Sequence, residues 1–299
     1  MIPGVPDVGF GPVPQPGRPD ELAPGLLRLT APNPGLMTGP GTNTYLVGSG
    51  ELAVVDPGPA DDTHRRAIRD VAAARGGVIR WILVTHTHLD HAPGAAALAH
   101  DTGATVVGFG PAENFAPDRC VGPGWTLPVG ALTLEAVSTP GHASDHLCWL
   151  IRQQATLLTG DHVMHGSTVV IRPPDGDLLT YLDSLARVRD ARPAITTLAP
   201  GHGRLMDRVP EEIDALIAHR LGRHAVVAAA LARLGPAPVD VLLPEVYADV
   251  TEAQLEVARF SLWAHLRALV QQGRADVVGS AGPDTIDSVW RSLGAAQST

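Results

Sequence analysis

The residues best suited to chemistry are histidines and aspartates near the middle of the chain. In the segment WILVTHTHLDH, an apolar run is followed by His86 and His88, and then by Asp90 and His91. Residues two apart on an extended chain point the same way, so the first two imidazoles can face one ion. Imidazole nitrogen and carboxylate oxygen are zinc ligands in proteins. The pattern therefore predicts a metal centre.

Three later segments repeat this arrangement. LEAVSTPGH, TLLTGD and ITTLAPGH are apolar runs that end in a small-residue turn and then in His142, Asp161 and His202. Because ligands in α/β proteins gather beyond the carboxyl ends of strands, these ends can converge on one site. Seven candidate ligands are too many for one tetrahedral ion, and a carboxylate can bridge two ions. We therefore predict two metal ions, with Asp161 as the bridge.

Other histidines have weaker claims, because a lone histidine after a strand is more often hydrogen-bonded than a metal ligand. Three lie close in sequence to the ligands and are candidates for orienting them or lining the pocket: His146, His162 and His165. Three others are assigned to packing or to a helix surface: His64, His100 and His265.

The elements that must position these residues alternate between strands and helices, which indicates an α/β fold with mixed sheets covered by helices. Strands are predicted at 26–30, 43–48, 52–56, 80–84, 104–107, 131–137, 146–151, 156–159 and 195–199. Helices are predicted at 61–75, 92–101 and 177–190.

The two ends of the chain differ from this middle part. Residues 1–25 contain seven prolines and are predicted to form an extended arm, whereas the metal-binding domain is predicted at 26–208. Residues 209–299 form long helical patterns followed by two strand-like pieces around the turn AGPD. Helices followed by a hairpin favour a small winged-helix-like domain.

Composition excludes several classes of protein. The chain contains no lysine among its 22 basic residues, so a lysine nucleophile or Schiff base is excluded, and its net charge is −9. Such an acidic balance disfavours broad nucleic-acid binding. Two cysteines are too few for a disulfide scaffold or a thiolate zinc site. No apolar run is long enough for a membrane span and no signal segment is evident, so we expect a cytoplasmic protein.

The seven candidate ligands resemble the hallmark of the metallo-beta-lactamase superfamily, the His-x-His-x-Asp-His run with later His, Asp and His. The resemblance implies an αββα sandwich with a small C-terminal domain. It also implies that one ion is held by His86, His88 and His142, the other by Asp90, His91 and His202, and that Asp161 bridges them. Zinc is the metal that the family implies, although manganese and iron accept the same ligands.

The resemblance also indicates which branch of the superfamily the sequence is most similar to. Class B beta-lactamases lack the bridging aspartate that Asp161 supplies, so antibiotic hydrolysis is disfavoured, and the Lys-x-x-Asn element of glyoxalase II enzymes is absent. NPGLMTGPGTNTYLVG, GSTVV and ARFSLWAHLRALVQQGRA resemble segments of the branch typified by beta-lactamase-like protein two, which ends in a winged helix. His219 and Arg220 resemble a His-Arg pair of that branch and are candidate pocket residues.

These observations predict a metal-dependent hydrolase in which a metal-bridging hydroxide attacks the substrate, with Asp90 orienting it and relaying its proton. We expect a small ester, thioester or lactone, because the chain is acidic and carries the apolar loop Pro34–Met37. The alternative is an endoribonuclease for single-stranded RNA, which the family resemblance supports and which a line of Arg172, Arg204, Arg220 and Arg223 beside the metals would favour. A third hypothesis is a non-enzymatic regulator that binds nucleic acid. The acidic residues 236–299 suit a pocket wall or a homodimer surface better than a DNA reader.

Overall fold

The short apolar runs of the first two thirds of the chain form two β-sheets. The structure is a computed structural model that describes residues 9–280 and 282–294, so residues 1–8 of the predicted arm, Ala281 of the predicted turn and residues 295–299 lie outside the described residues. The first sheet contains, in spatial order, β1 (Pro19–Ala23), β2 (Leu26–Thr30), β3 (Asn43–Ser49), β4 (Glu51–Val55), β5 (Val78–Leu83), β6 (Thr105–Gly108) and β7 (Arg119–Cys120). Strands β1 to β4 pair antiparallel and β4 to β7 pair parallel.

The second sheet is built from the following part of the chain. It contains β8 (Thr126–Val129), β9 (Leu132–Ser138), β10 (Leu147–Ile151), β11 (Thr156–Gly160) and β12 (Thr197–Pro200), in the spatial order β12-β11-β10-β9-β8. Only the β11–β12 pair is parallel among its strand pairs. A 3₁₀ turn, Arg152–Gln154, joins β10 to β11.

The two sheets pack face to face around an apolar core to which both contribute. Trp149, Tyr45 and Leu83 are fully buried in this core, as burial of their apolar surface favours. The other face of the first sheet is covered by α1 (Asp62–Ala74) and α2 (Gly94–Thr102), which bury Ile68 and Leu98 against it. The two sheets therefore form one packed body.

The described chain groups into two compact units. The first comprises residues up to 139, 145–169 and 186–213, and the second comprises 140–144, 170–185 and 214 onward. The second unit includes most of α3 (Leu178–Arg189) and α4 (Val209–Leu234), and all of α5 (Val239–Val246) and α6 (Glu252–Gln271). It also contains a three-stranded sheet of β13 (Ala237–Pro238), β15 (Val289–Ser292) and β14 (Ala275–Val278), in that spatial order. The domain limits predicted from sequence, 26–208 and 209–299, stay predictions.

The second unit has a core of its own. Trp290 of β15 and Leu262 of α6 are fully buried in it, together with Val227 of α4. Helix α6 begins with a capping box in which Thr251 and Gln254 satisfy each other's backbone amides. Within the part of the chain that the structure describes, no helix is both long and apolar enough to cross a membrane.

Four of the described strands were not predicted from the sequence, and all four lie at sheet edges: β1, β7, β8 and β13. Strand β1 begins at Pro19 in the segment assigned to an extended arm, and β8 contains Pro128. Proline lacks an amide hydrogen and is tolerated mainly at sheet edges, so its presence hid these two strands from a propensity argument.

Candidate metal centre

Side chains from three loops of the first unit converge at the ends of strands β5, β11 and β12. His91 Nε2 lies 3.3 Å from Asp161 Oδ1 and 3.4 Å from Asp90 Oδ2. His202 Nε2 lies 3.3 Å from the same Asp161 oxygen and 3.2 Å from the same Asp90 oxygen. Two imidazole nitrogens and two carboxylate oxygens thus surround one point.

The spacing of these four atoms fits a metal ion. Ligand atoms bound about 2.0–2.1 Å from one tetrahedral zinc ion lie roughly 3.3 Å apart, and the four nitrogen–oxygen distances here are 3.2–3.4 Å. His91 Nε2 is also buried without a hydrogen-bond partner among the described residues. A buried polar atom of this kind requires a partner, and a metal ion would supply it.

The other ring nitrogen of each histidine is already engaged, which orients the ring. His91 Nδ1 lies 2.8 Å from Asp56 Oδ2, and His202 Nδ1 lies 3.2 Å from the Gly41 carbonyl oxygen. Metal-binding histidines usually donate their second N–H to such an oxygen, which fixes the tautomer. Both rings therefore direct Nε2 at the carboxylates.

Asp56 was not among the residues singled out from the sequence, yet it anchors this part of the site. Its carboxylate accepts hydrogen bonds from the Thr85 amide at 2.8 Å and from the Thr85 hydroxyl at 2.7 Å, besides facing His91. It has a positive φ of 51°, which is unusual for a residue other than glycine. The local signal was available, because VVDPG ends a strand with an acid and a turn, as the ligand segments do.

Charge explains why the cluster favours a cation. Burial alone would lower the pKa of His91, but the carboxylates of Asp161 and Asp90 outweigh it and raise that pKa well above 6.5. The same opposition, led by Asp161, raises the pKa of His202 to about 9. Burial would raise the pKa of Asp161, but His202 and His91 hold it well below its usual range. The carboxylates are therefore ionised at neutral pH, and a divalent cation can replace the imidazole protons.

A second group of donors adjoins the first. His86 Nε2 and His88 Nδ1 lie 2.9 Å apart, and the ring of His86 is 4.3 Å from that of His91. Ligand atoms of His86, His91 and Asp161 lie within 4.8 Å of one another. Asp161 thus stands between the His86 side and the His202 side of the cluster.

Gly201 shows how closely the ligand loops are packed. A Cβ atom at this position would lie 2.7 Å from His91 Cε1 and 2.8 Å from Asp161 Oδ1. Any side chain would therefore displace a candidate ligand. The glycine that precedes His202 is required by this close approach rather than by flexibility.

His142, the remaining candidate ligand, belongs to the second unit. Its ring is buried, and its Nδ1 lies 2.6 Å from the Val170 carbonyl oxygen in the same unit. This contact again leaves Nε2 as the nitrogen for a ligand, as in His91. Its assignment to a metal ion stays a prediction from the sequence pattern.

The predicted pocket histidines lie inside the first unit rather than on an open surface. His146 is 1% exposed, its ring stacks on that of His86 at 4.9 Å, and its Nδ1 lies 2.8 Å from the Thr139 hydroxyl. His162 is fully buried, with its ring 6.2 Å from that of His146. His165 is partly exposed and packs against Gly203. The first two are placed to support a ligand rather than to contact a substrate.

The other sequence candidates are described by their own contacts. His219 and Arg220 are in the second unit, where the Arg220 guanidinium lies 5.6 Å from the centre of the Tyr181 ring. His64, which was assigned to packing, is buried with its Nε2 2.7 Å from the Thr44 hydroxyl. His100 is on the surface of α2, and His265 is buried in α6.

Comparison with known proteins identifies the family. Residues 37–202, more than half of the chain, match the metallo-beta-lactamase superfamily. The chain is 35% identical over 235 residues to a lactamase-like protein, vrtG, of Penicillium aethiopicum, covering 76% of this chain and 73% of that protein. It is 35% identical over 219 residues to the thioesterase pkgB of Emericella nidulans, covering 71% of this chain and 61% of that protein.

Two further comparisons bear on the branch and the fold. A beta-lactamase-like protein 2 homolog of Caenorhabditis elegans is 29% identical over 238 residues, with 77% of this chain and 79% of that protein covered. A crystal structure of a beta-lactamase domain protein from Burkholderia ambifaria has a TM-score of 0.79 at 22% identity, covering 94% of this chain and 95% of that one. The αββα prediction is thereby confirmed. The chain belongs to the metallo-beta-lactamase superfamily and is a metal-dependent hydrolase.

Proposed function

We propose that the protein is a binuclear zinc hydrolase that cleaves a small acyl ester, thioester or lactone. The observation that carries this proposal is the position of Asp161. Its Oδ1 is 3.3 Å from both His91 Nε2 and His202 Nε2, and its carboxylate also groups with His86. A carboxylate shared by two sets of imidazoles is suited to bridging two ions rather than to holding one.

We assign the ligands to the two ions as the family resemblance implies. In this proposal one ion is held by His86, His88 and His142, the other by Asp90, His91 and His202, and Asp161 contributes to both. Oxygen and nitrogen ligands of this kind suit zinc, and they also accept manganese or iron.

Two divalent ions would activate a water molecule and polarise the substrate carbonyl. Asp90 is the residue best placed to handle the proton, because its side chain is 27% exposed whereas that of Asp161 is 12% exposed. The hydroxyl of Thr42 donates to Asp90 Oδ2 at 3.5 Å and orients it. Asp90 would therefore hold the attacking water and accept its proton, and Asp161 would keep the ligand sets together.

Exposed apolar side chains on two loops of the first unit favour an acyl substrate. Leu89, between two candidate ligands, is 69% exposed. Leu36 and Met37 are 60% and 44% exposed at the tip of a tight hairpin closed by hydrogen bonds between Gly35 and Gly39. Exposed apolar groups of this size suit contact with a hydrocarbon chain better than with a polyanion.

The names of relatives support the same substrate class. Besides the Emericella nidulans thioesterase, an atrochrysone carboxyl ACP thioesterase of Aspergillus fumigatus is 32% identical over 217 residues, covering 71% of this chain and 66% of that protein. These names describe thioester hydrolysis by those proteins. We propose a thioester as the first substrate to test here.

The arginines that would favour RNA cleavage are engaged in other contacts. Arg172 lies over the Phe260 ring at 4.5 Å, and Arg223 pairs with Asp249 at 2.9 Å in the second unit. Arg204 donates to the Gly11 carbonyl oxygen at 3.1 Å in the first unit. These contacts do not favour a free basic track for RNA.

We also propose that residues 209–299 are a winged-helix-like domain. Its order of helix, strand, two helices and two strands supports this, as does the sheet order β13-β15-β14. Five of its arginines form pairs with acids, among them Arg259 with Asp240 and Arg291 with Asp276. A domain with most of its arginines paired in this way is better suited to protein packing than to DNA binding.

A hydrolysis panel tests the proposal. Zinc-loaded protein would be assayed with S-acyl thioesters of increasing chain length, a lactone, an acyl ester, a beta-lactam, a phosphodiester and single-stranded RNA. We expect turnover of thioester, ester or lactone that is abolished in Asp161→Asn and by a chelator. Turnover of RNA alone, lost in the same variant, would overturn the choice of an acyl substrate.

A further inference from the structure

The segment that precedes β2 contacts the loop that carries His202. The Phe10 amide donates to the Leu205 carbonyl oxygen at 2.9 Å, and Arg204 donates to the Gly11 carbonyl oxygen at 3.1 Å. We call residues 9–23 the N-terminal segment. Phe10 and Gly11 thus lie beside the loop after β12. The residues they contact there are two and three positions after the candidate ligand His202.

A buried arginine connects this segment to the same loop. Arg28 of β2 is fully buried, and its Nη2 lies 2.7 Å from Asp20 Oδ2 and donates to the Pro12 carbonyl oxygen at 2.7 Å. Its Nη1 donates to the Gly203 carbonyl oxygen at 3.3 Å. One guanidinium therefore binds two points of the N-terminal segment and the residue that follows His202.

Side chains of β3 hold the rest of the loop. Asn43 Nδ2 donates to the carbonyl oxygens of Pro200 and Gly203 at 3.0 and 2.9 Å. The Tyr45 hydroxyl also donates to the Pro200 carbonyl oxygen, at 2.7 Å. The backbone on both sides of His202 is thus held by side chains, and Arg28, one of these three, also contacts the N-terminal segment.

Because Arg28 is buried, the position of its side chain depends on the ion pair with Asp20. A guanidinium removed from water keeps its position only where a carboxylate and carbonyl oxygens compensate its charge. Asp20, at 8% exposure, supplies that carboxylate. Without it, Arg28 would have to move toward solvent and would release the Gly203 carbonyl oxygen.

We infer that the N-terminal segment, acting through the Asp20–Arg28 pair, positions His202 for metal binding. Arg28 and Asp20 are positioning residues that touch neither the substrate nor the ion. The inference rests on the proposed function, because it takes His202 as a ligand. Linkage makes the coupling reciprocal: if docking of the segment tightens metal binding, then metal binding stabilises the docked segment.

The first test compares two isosteric variants of neighbouring residues. Asp20→Asn removes the carboxylate from Arg28, whereas Glu21→Gln removes one that pairs with Arg75 on the surface at 2.8 Å. Competition with a chelator would measure the affinity of each of two zinc ions. We expect Asp20→Asn to weaken the binding of one zinc ion by about 10- to 100-fold, as loss of a group that orients a ligand does. Glu21→Gln should stay within about twofold of the wild type.

The second test uses the wild-type chain, so it does not depend on the folding of a variant. Chymotryptic cleavage after Phe10 would be followed by mass spectrometry with and without zinc, with cleavage after the exposed Leu293 as an internal control. We expect zinc to slow the first cleavage and leave the second unchanged.

The outcomes separate this inference from the proposed function. A wild type that binds two zinc ions, without protection at Phe10 and without weakened binding in Asp20→Asn, would overturn the inference and leave the proposed function standing. A wild type that binds fewer than two ions would overturn both. Rescue of binding in Asp20→Glu, which restores a carboxylate, would support a positioning role over a general loss of stability.

Discussion

Both units of the protein bury histidines, and the charges around them differ in sign. In the first unit, His91 and His202 face Asp90 and Asp161, and the pKa of each imidazole is raised. In the second unit, burial lowers the pKa of His265 well below 6.5, and nearby Arg220 lowers it further. Burial alone therefore does not make a histidine a ligand. Carboxylates directed at its nitrogen do.

The second unit shows this contrast in its contacts. His265 Nδ1 lies 3.3 Å from His224 Nδ1, and His224 Nε2 lies 3.0 Å from the Gln272 side-chain oxygen. The groups whose charge most lowers the pKa of His265 are Arg220, Arg223, His219 and His224. Two of them are arginines, whose positive charge would repel a cation at neutral pH. We assign these histidines to the core of the unit.

The largest expected effect separates a ligand from its buried neighbour. At the same zinc concentration in the assay, Asp161→Ala should lower kcat/KM for the thioester by at least about 1000-fold, because the ions lose their shared ligand. His162→Ala should cost far less, since His162 is fully buried beside His146 and not among the donor atoms. Equal losses in the two variants would contradict the ligand assignment.

A smaller effect is expected from the residue that orients a ligand. Asp56→Asn keeps the shape of the side chain, and asparagine tolerates the positive φ of this position. It removes the charge that faces His91 Nδ1 at 2.8 Å. We expect about 10- to 100-fold weaker zinc binding by chelator competition. Unchanged affinity would mean that the Asp56 contact does not position the imidazole.

The buried His265 of the second unit should respond to acid rather than to metal. The pKa of His265 is lowered by folding, so below pH 6.5 the unfolded chain binds a proton that the folded chain does not. Stability is complete above this pH and falls as pH decreases, by about 1.4 kcal/mol per pH unit for one proton. His265→Gln should reduce the slope measured by chemical denaturation by the contribution of this one proton. The control His100→Gln changes an exposed histidine and should leave it unchanged.

The smallest expected effect is a change in KM, and it is tested by comparing exposed leucines of the two units. Leu89→Ser, beside the candidate ligands, should raise KM for a long-chain thioester about threefold and change kcat little, because it removes apolar contact only. Leu293→Ser removes a leucine that is 51% exposed in the second unit. It should leave both constants unchanged. A KM that is insensitive to Leu89 would argue against an acyl-chain contact there.

The ligands could be predicted from the sequence because each follows a strand and a small-residue turn, and this pattern is local. Nearly every predicted strand and helix of the first unit is found, within a few residues at the ends. Asp56 and the Asp20–Arg28 pair were missed for different reasons. Asp56 follows a strand and precedes a turn, which is the same local pattern as in the ligand segments. Arg28 instead acts through contacts with Pro12 and Gly203 that no short pattern in the sequence encodes.

The edge strands mark a second limit of prediction. Strand β1 forms although it begins at a proline, because antiparallel pairing with β2 and the buried contact of Asp20 with Arg28 hold it in place. Tertiary contacts of this kind override the local preference of a Pro-rich segment. The substrate likewise depends on loop residues such as Leu36 and Leu89, whose types alone indicate only an apolar partner.

The central claim is a centre of two ions that Asp161 joins, and metal stoichiometry tests it most directly. Metal-free protein would be reloaded with zinc, freed of excess metal and analysed for zinc per chain by mass spectrometry, alongside Asp161→Ala. We predict about two zinc ions per wild-type chain and one or fewer in the variant. A wild type that holds one ion, or a variant that still holds two, would contradict the account.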